Sequence, residues 1–310
     1  MYCHSKNGRF HRSGIDGRAR FLLWALLCLS SSVLSHHTQA ANDKLLFWEV
    51  ELQAAHVYLL GSMHLASADV YPLREGIMQA WERADRLAVE LDISGSRGLD
   101  IQAAMLARGR YPAGKSLSDD LKPETWAALR ERLEANGLPP ALMQALKAGL
   151  VVTTLSAMEM MKLGLDPEQG IDRYFLNLAA GAKPILELET IDEQLDVVLD
   201  TPDPEVLVAQ TLDQLADLDG IMSTLVSSWK QGDAQALSRL VLEEPLITHP
   251  EYAPLQKRLF DDRNLTMTER IMQLQTSGGT LFVVVGAGHL IGEQGIIALL
   301  RQRGFNPRLR

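Results

Sequence analysis

Apolar residues alternate with polar ones, or run unbroken, in a few short stretches of this chain, and each such stretch reads as a strand. Leu45 to Leu52 is apolar apart from an alternating Glu49 and Glu51. Gln53-Ala54-Ala55 then turns the chain into His56-Val57-Tyr58-Leu59-Leu60, so a hairpin is expected, its second strand running into Gly61-Ser62-Met63-His64. Arg86 to Leu91 is short and stops at Asp92. Lys183 to Glu189 follows Gly181, and Thr280 to Val285 is a buried-type, β-branched-rich run ending at Gly286. Unbroken apolar runs suit a sheet covered on both faces, and hence parallel strands.

Helical periodicity fills the intervals. Leu73, Ile77, Ala80 and Trp81 recur at helical spacing between Pro72 and Ala84, with Pro72 acceptable in a first turn. Thr190-Ile191-Asp192-Glu193 is a capping box that opens a helix directly after the third strand. Ile296 to Arg303 forms a last helix stopped by Gly304. The expected fold is α/β (α+β): a central, mostly parallel sheet of about four core strands plus an N-terminal hairpin strand. Two large helical inserts are expected at about residues 100–180 and 204–275, the first punctuated by Pro112, Pro123, Pro139, Pro140 and Pro167.

The first forty residues change how the composition is read. Lys6, Arg9, Arg12, Arg18 and Arg20 precede the apolar run Phe21 to Leu29, and small residues follow up to Ala40-Ala41. This is the pattern of a signal peptide at residues 1–40, cleaved after Ala40, which makes residues 41–310 the mature domain in the periplasm or outside the cell. The apolar run is short of the ~20 residues a transmembrane helix needs, so an uncleaved leader is the single expected route to a membrane. Removing the leader's five bases and one acid takes Lys plus Arg from 30 to 25 and Asp plus Glu from 39 to 38, a net charge of about −13. Such a surface argues against nucleic acid as a partner. Cys3 and Cys28 leave with the leader, so any metal must be held by His, Asp or Glu.

Four histidines remain, His56, His64, His249 and His289, and two share one setting. Gly61-Ser62-Met63-His64 and Gly286-Ala287-Gly288-His289 each follow a buried strand, where open α/β sheets place ligands. The other two strands end in acids: Glu90 and Asp92 after one, Glu187 and Glu189 within the other. Acids in apolar strands are costly to bury unless paired or metal-bound. With the four strands as neighbours, His64, His289, Glu90 and Glu189 make a donor set for a divalent ion such as Mn²⁺, Co²⁺ or Zn²⁺. Glu187 and Glu189 share strand parity, and Glu189 is chosen as nearer the strand end. The competing reading has the acids capping helices or pairing with Arg, and the histidines shaping the sheet edge.

These residues resemble the TraB/GumN family (TraB/PrgY/GumN), which is related to the Tiki metalloproteases and more distantly to erythromycin esterase-like proteins. The matching landmarks include Tyr58 to His64, Val89 to Asp92, Gly170 to Phe175, Leu188-Glu189-Thr190, Trp229 to Asp233, Arg263-Asn264 and Val284 to Gly292. The resemblance implies a metal-dependent, peptidase-like site. In it His64 and His289 bind or orient the metal, and Glu90 is a ligand or general base. Glu189 is a further ligand or an acid behind it, and Arg263 and Asn264 contact substrate or its oxyanion. The substrate class is then a peptide or small protein. The alternative is a non-catalytic periplasmic protein that binds a peptide, metal or porphyrin in the same cleft.

Overall fold

The computed structural model describes residues 43–310; the leader, its cleavage point, Cys3 and Cys28 lie outside the described residues. The sheet contains β1 (Phe47–Glu51), β2 (Ala55–Ser62), β3 (Arg86–Val89), β4 (Ile185–Glu187), β5 (Gly279–Gly286) and β6 (Arg308–Leu309), in the spatial order β4-β3-β5-β2-β1-β6. Strands β4, β3, β5 and β2 are parallel neighbours, and β1 joins antiparallel to β2 as the hairpin partner. That is the expected arrangement of four parallel core strands and a hairpin strand. β6 was not foreseen: two exposed residues carry no apolar pattern, and pairing with β1 alone defines them.

Helices cover both faces. The chain runs through α1 (Glu75–Arg83) after β2, then α2 (Gly95–Arg108), α3 (Pro123–Ala135), α4 (Ala148–Lys162) and α5 (Ile171–Ala179) between β3 and β4. Between β4 and β5 lie α6 (Ile191–Leu199), α7 (Pro204–Ala216), α8 (Leu218–Gln231) and α9 (Asp262–Leu274), and α10 (Ile296–Gln302) follows β5. Phe282 on β5 is central to an aromatic cluster, with Phe175 of α5 at 4.8 Å and Trp81 of α1 at 5.6 Å. Trp229 near the end of α8 is fully buried in the same core, and its indole N–H donates to the carbonyl of Gly61 at 2.8 Å. The bond ties the second helical group to the strand end that carries His64. Among the described residues no helix is long and apolar enough to cross a membrane.

The expected capping box at the start of α6 is present, with Thr190 and Glu193 each accepting from the other's backbone N–H. Glu193 also receives two bonds from Arg270 of α9, at 2.7 and 2.9 Å, while Arg270 donates to the carbonyl of Leu188. One carboxylate thus fastens the exit of β4 to two helices.

Truncating Trp229 to Ala should cost roughly 3–5 kcal/mol in urea unfolding, whereas Ile247→Ser, at a residue 78% exposed, should stay within about 0.5 kcal/mol. Equal losses in the two variants would contradict the packing described. The Arg270 bonds hold Glu193 down at about 2. A folded-state value below the unfolded one means stability that is present above about pH 4 and is lost as pH falls toward 2. Glu193→Gln should therefore lower the wild-type stability at neutral pH and flatten the acid limb. An unchanged slope between pH 4.5 and 2.5 would remove Glu193 from that role.

Candidate functional site

Parallel register decides where the chemistry-bearing residues meet. Val89 of β3 lies opposite Val284 of β5, which lies opposite Leu60 of β2, so the three strands end nearly level. The pairing of β3 with β4 continues past the strands, because Leu188 N–H donates to Val89 O at 2.8 Å and Glu189 N–H to Glu90 O at 2.9 Å. Glu90 and Glu189 are therefore adjacent, 7% and 3% exposed. Glu187 goes elsewhere: its oxygens accept from Arg97 of α2 at 3.1 and 2.7 Å and from the N–H of Asp92.

Arg263, in the first turn of α9, bonds both buried acids. Its Nε and Nη2 donate to the two oxygens of Glu189 at 2.7 and 2.6 Å, and Nη2 also reaches Glu90 Oε2 at 2.6 Å. The other oxygen of Glu90 accepts from Gly286 N–H at 2.6 Å. A π-helical turn at Lys257–Asp261 precedes α9; its Phe260 packs on His289, and Arg263 just after it faces the acids. Asn264 is buried with both ends used: Oδ1 faces His289 Nδ1 at 2.7 Å, and Nδ2 donates to Gln294 O at 3.0 Å. It orients His289.

The two imidazoles differ in setting and share one device. His289 is 4% exposed, whereas the His64 side chain is 59% exposed and opens the edge to solvent. His64 Nδ1 stands 3.1 Å from Asp172 Oδ1, in the first turn of α5. Asp172 carries no site signal in the sequence; an acid two positions after Gly170 shows its role only once α5 is docked. Gly170 allows the docking, since a Cβ there would lie 2.3 Å from His64 O. In each ring Nδ1 faces an oxygen acceptor, which favours the Nδ1–H tautomer and leaves the lone pair on Nε2. At Gly286 a Cβ would lie 3.5 Å from His64 Nε2, 3.2 Å from Glu90 Oε1 and 3.5 Å from His289 Cδ2. The bare backbone of Gly286 is the floor on which the three side chains converge. His56, beside Glu49 and Glu51, and His249, stacked on Tyr252, stay outside this edge.

Burial would raise Glu90, but the neighbouring charges and the Gly286 N–H outweigh it and hold the carboxyl at about 2. Burial pushes His289 down to about 4, so it is neutral near pH 7 and leaves the charge of His64, Arg263 and the Gly286 N–H as the groups that keep Glu90 ionised there. The Asp172 carboxylate raises His64, and burial raises Glu189. As the side chains stand, no group of three or more His, Cys, Asp or Glu among the described residues is gathered closely enough to hold an ion. A cleft of about 240 Å³ borders the site, walled by Glu189, Arg263, Glu193 and Arg258.

Comparison with known proteins places the chain. The model of the TraB/PrgY/gumN family matches residues 46–308, and the chain belongs to this family. It is similar to the uncharacterized protein YbaP of Escherichia coli (strain K12), 29% identical over 248 residues that cover 79% of this chain and 88% of that protein. An uncharacterized protein of Treponema pallidum (strain Nichols) is 26% identical over 298 residues, covering 89% of this chain and 86% of the relative. No solved structure matches significantly.

Replacing Arg263 by Met keeps the stem and leaves two buried carboxylates without their cation, which should cost roughly 3–5 kcal/mol in chemical denaturation. The double variant Arg263→Met, Glu189→Gln should recover a measurable part of that loss. A single-variant loss below about 1 kcal/mol would show that the three charges are not energetically coupled.

Proposed function

We propose that the chain is an exported, metal-dependent hydrolase with peptidase-like chemistry, working at the His64–Glu90–His289 edge of the sheet. One observation carries the reading: two histidines from neighbouring parallel strands each have Nδ1 tied to an acceptor, and both flank Glu90 over Gly286. Tying Nδ1 in this way is how proteins fix an imidazole whose Nε2 binds a metal. The donor types, two imidazole nitrogens and a carboxylate oxygen, suit Mn²⁺, Co²⁺ or Zn²⁺.

Such an ion supplies Lewis acidity, polarising a carbonyl and making water acidic enough to lose a proton near neutral pH. The chain's own residues do the remainder. Glu90, kept ionised, is a ligand or the acceptor of that proton. Arg263 supplies positive charge beside Glu90 for a developing oxyanion, and Glu189 holds the guanidinium in place. Asn264 and Asp172 fix the two rings, and His64 must give up its proton to bind metal, so metal affinity should rise with pH. Export is supported by the basic-then-apolar leader, and a peptide or small-protein substrate by the resemblance to the Tiki metalloproteases. The second reading, binding of a peptide, metal or porphyrin without turnover, is favoured by the two hydrogen bonds already occupying both oxygens of Glu90.

Metal content of the purified full chain, measured by plasma mass spectrometry after loading with Mn²⁺, Co²⁺ or Zn²⁺, separates these readings. Near-stoichiometric metal is expected, lost in His64→Ala and His289→Ala with unchanged circular dichroism. Cleavage of a peptide library should then fall by roughly 10²-fold or more in Glu90→Gln, with peptide affinity retained. Metal without cleavage of any peptide would leave the binding reading standing, and no metal in any folded sample would sink the hydrolase.

A further inference from the structure

The two buried acids share one guanidinium unequally. Glu189 is held by a fork, Arg263 Nε to Oε1 at 2.7 Å and Nη2 to Oε2 at 2.6 Å, and Nη1 donates to Leu259 O at 3.2 Å. Glu90 has one bond from Arg263, Nη2 to Oε2 at 2.6 Å. With Glu90 turned away, the guanidinium would keep its other three. A fork to one carboxylate is the strong form of this pairing, so Glu189 alone suffices to retain Arg263 at the edge.

The oxygen that Arg263 holds on Glu90 is also one that faces the inner imidazole: Oε2 stands 3.8 Å from His289 Nε2. The other oxygen, Oε1, accepts from Gly286 N–H at 2.6 Å. A divalent ion between Glu90 and His289 therefore meets the guanidinium on the same oxygen. The side chains of Glu90, Glu189 and Arg263 are 8%, 3% and 15% exposed, so water screens little of that repulsion. Two positive groups compete for one oxygen, and the second carboxylate gives one of them another place to bind.

We infer that Arg263 is a built-in competitor for the metal at the strand-end site, holding Glu90 until an ion takes that carboxylate and then resting on Glu189 alone. The inference rests on the metal reading proposed above and names how that site is regulated. Glu189 has a task of its own here, which is to keep the displaced guanidinium beside the edge. The Nη2 contact that Glu90 gives up becomes a donor free for a carbonyl oxygen or a developing oxyanion. Arg263 is thus offered to a substrate only once the ion is in place, and loading precedes substrate binding.

The test titrates the full chain with Zn²⁺ and with Mn²⁺ by isothermal calorimetry, as wild type, as Glu189→Gln and as the double variant Arg263→Met, Glu189→Gln, with folding checked by circular dichroism. Glu189→Gln leaves Glu90 as the one charged partner of the guanidinium, and affinity should fall roughly tenfold. The double variant keeps the wild-type net charge of the cluster but frees Glu90, and affinity should rise roughly tenfold or more above wild type. The change of sign is the signature, because a Glu189 that only ligated or oriented would weaken binding in both variants, by roughly 10–100-fold. Metal bound by wild type, with unchanged or weaker affinity in the double variant or unchanged or tighter affinity in Glu189→Gln, would overturn the competition and leave the metal site standing. No ion bound by any of the three folded proteins would overturn the metal site itself, and the competition with it.

Discussion

Two carboxylates, Glu90 and Glu189, are buried side by side, and the guanidinium of Arg263 bonds them both. Most of the architecture around the sheet edge follows from this. Ionised acids cannot be left in an apolar interior without compensation, so an arginine must reach the ends of β3 and β4 from outside the sheet. Helix α9 delivers it, directly after the π-helical turn at Lys257–Asp261. Arg270, two turns further on, then holds Leu188 and Glu193, so the helix that neutralises the acids also secures the strand that carries one of them.

The same edge divides its two histidines by environment. His289 is buried against Phe260 and neutral near pH 7; His64 faces solvent and is drawn toward its charged form by Asp172. One imidazole is therefore buried and held in place, and the other is the edge's contact with the outside. Gly286 lets both operate over one point, because any Cβ there would crowd Glu90.

What the sequence revealed was local. Strand identity, the Thr190–Glu193 cap, the hairpin and the two Gly-x-x-His turns are short-range patterns, and each stands in the structure with shifts of a few residues at its ends. The adjacency of Glu90 and Glu189 also followed from reading both as strand-end residues of one parallel sheet. What was not legible depends on long-range docking. Asp172 reaches His64 across 108 positions, and Arg263 reaches Glu90 across 173. Asn264, expected at the substrate, bonds His289 and Gln294 across 25 and 30 positions. A π-helical turn has no composition signal, and neither does a two-residue strand such as β6.

Docking explains why the helices between the strands are more than cover. The tautomer of His64 is set by Asp172, from the helices between β3 and β4, and that of His289 by Asn264, from those between β4 and β5. The acids come from the sheet, and their cation comes from the second helical group. No single segment therefore contains a working half of the site: the sheet alone would present two unfixed imidazoles and two uncompensated carboxylates. The bond from Trp229 to Gly61 pins the second group to the strand of His64, and the contact of Gly170 with His64 pins the first. Assembly of the helices and assembly of the chemistry are one event, and a loosened helix should appear at the site as a disordered ring or a protonated acid before it appears as an unfolded sheet.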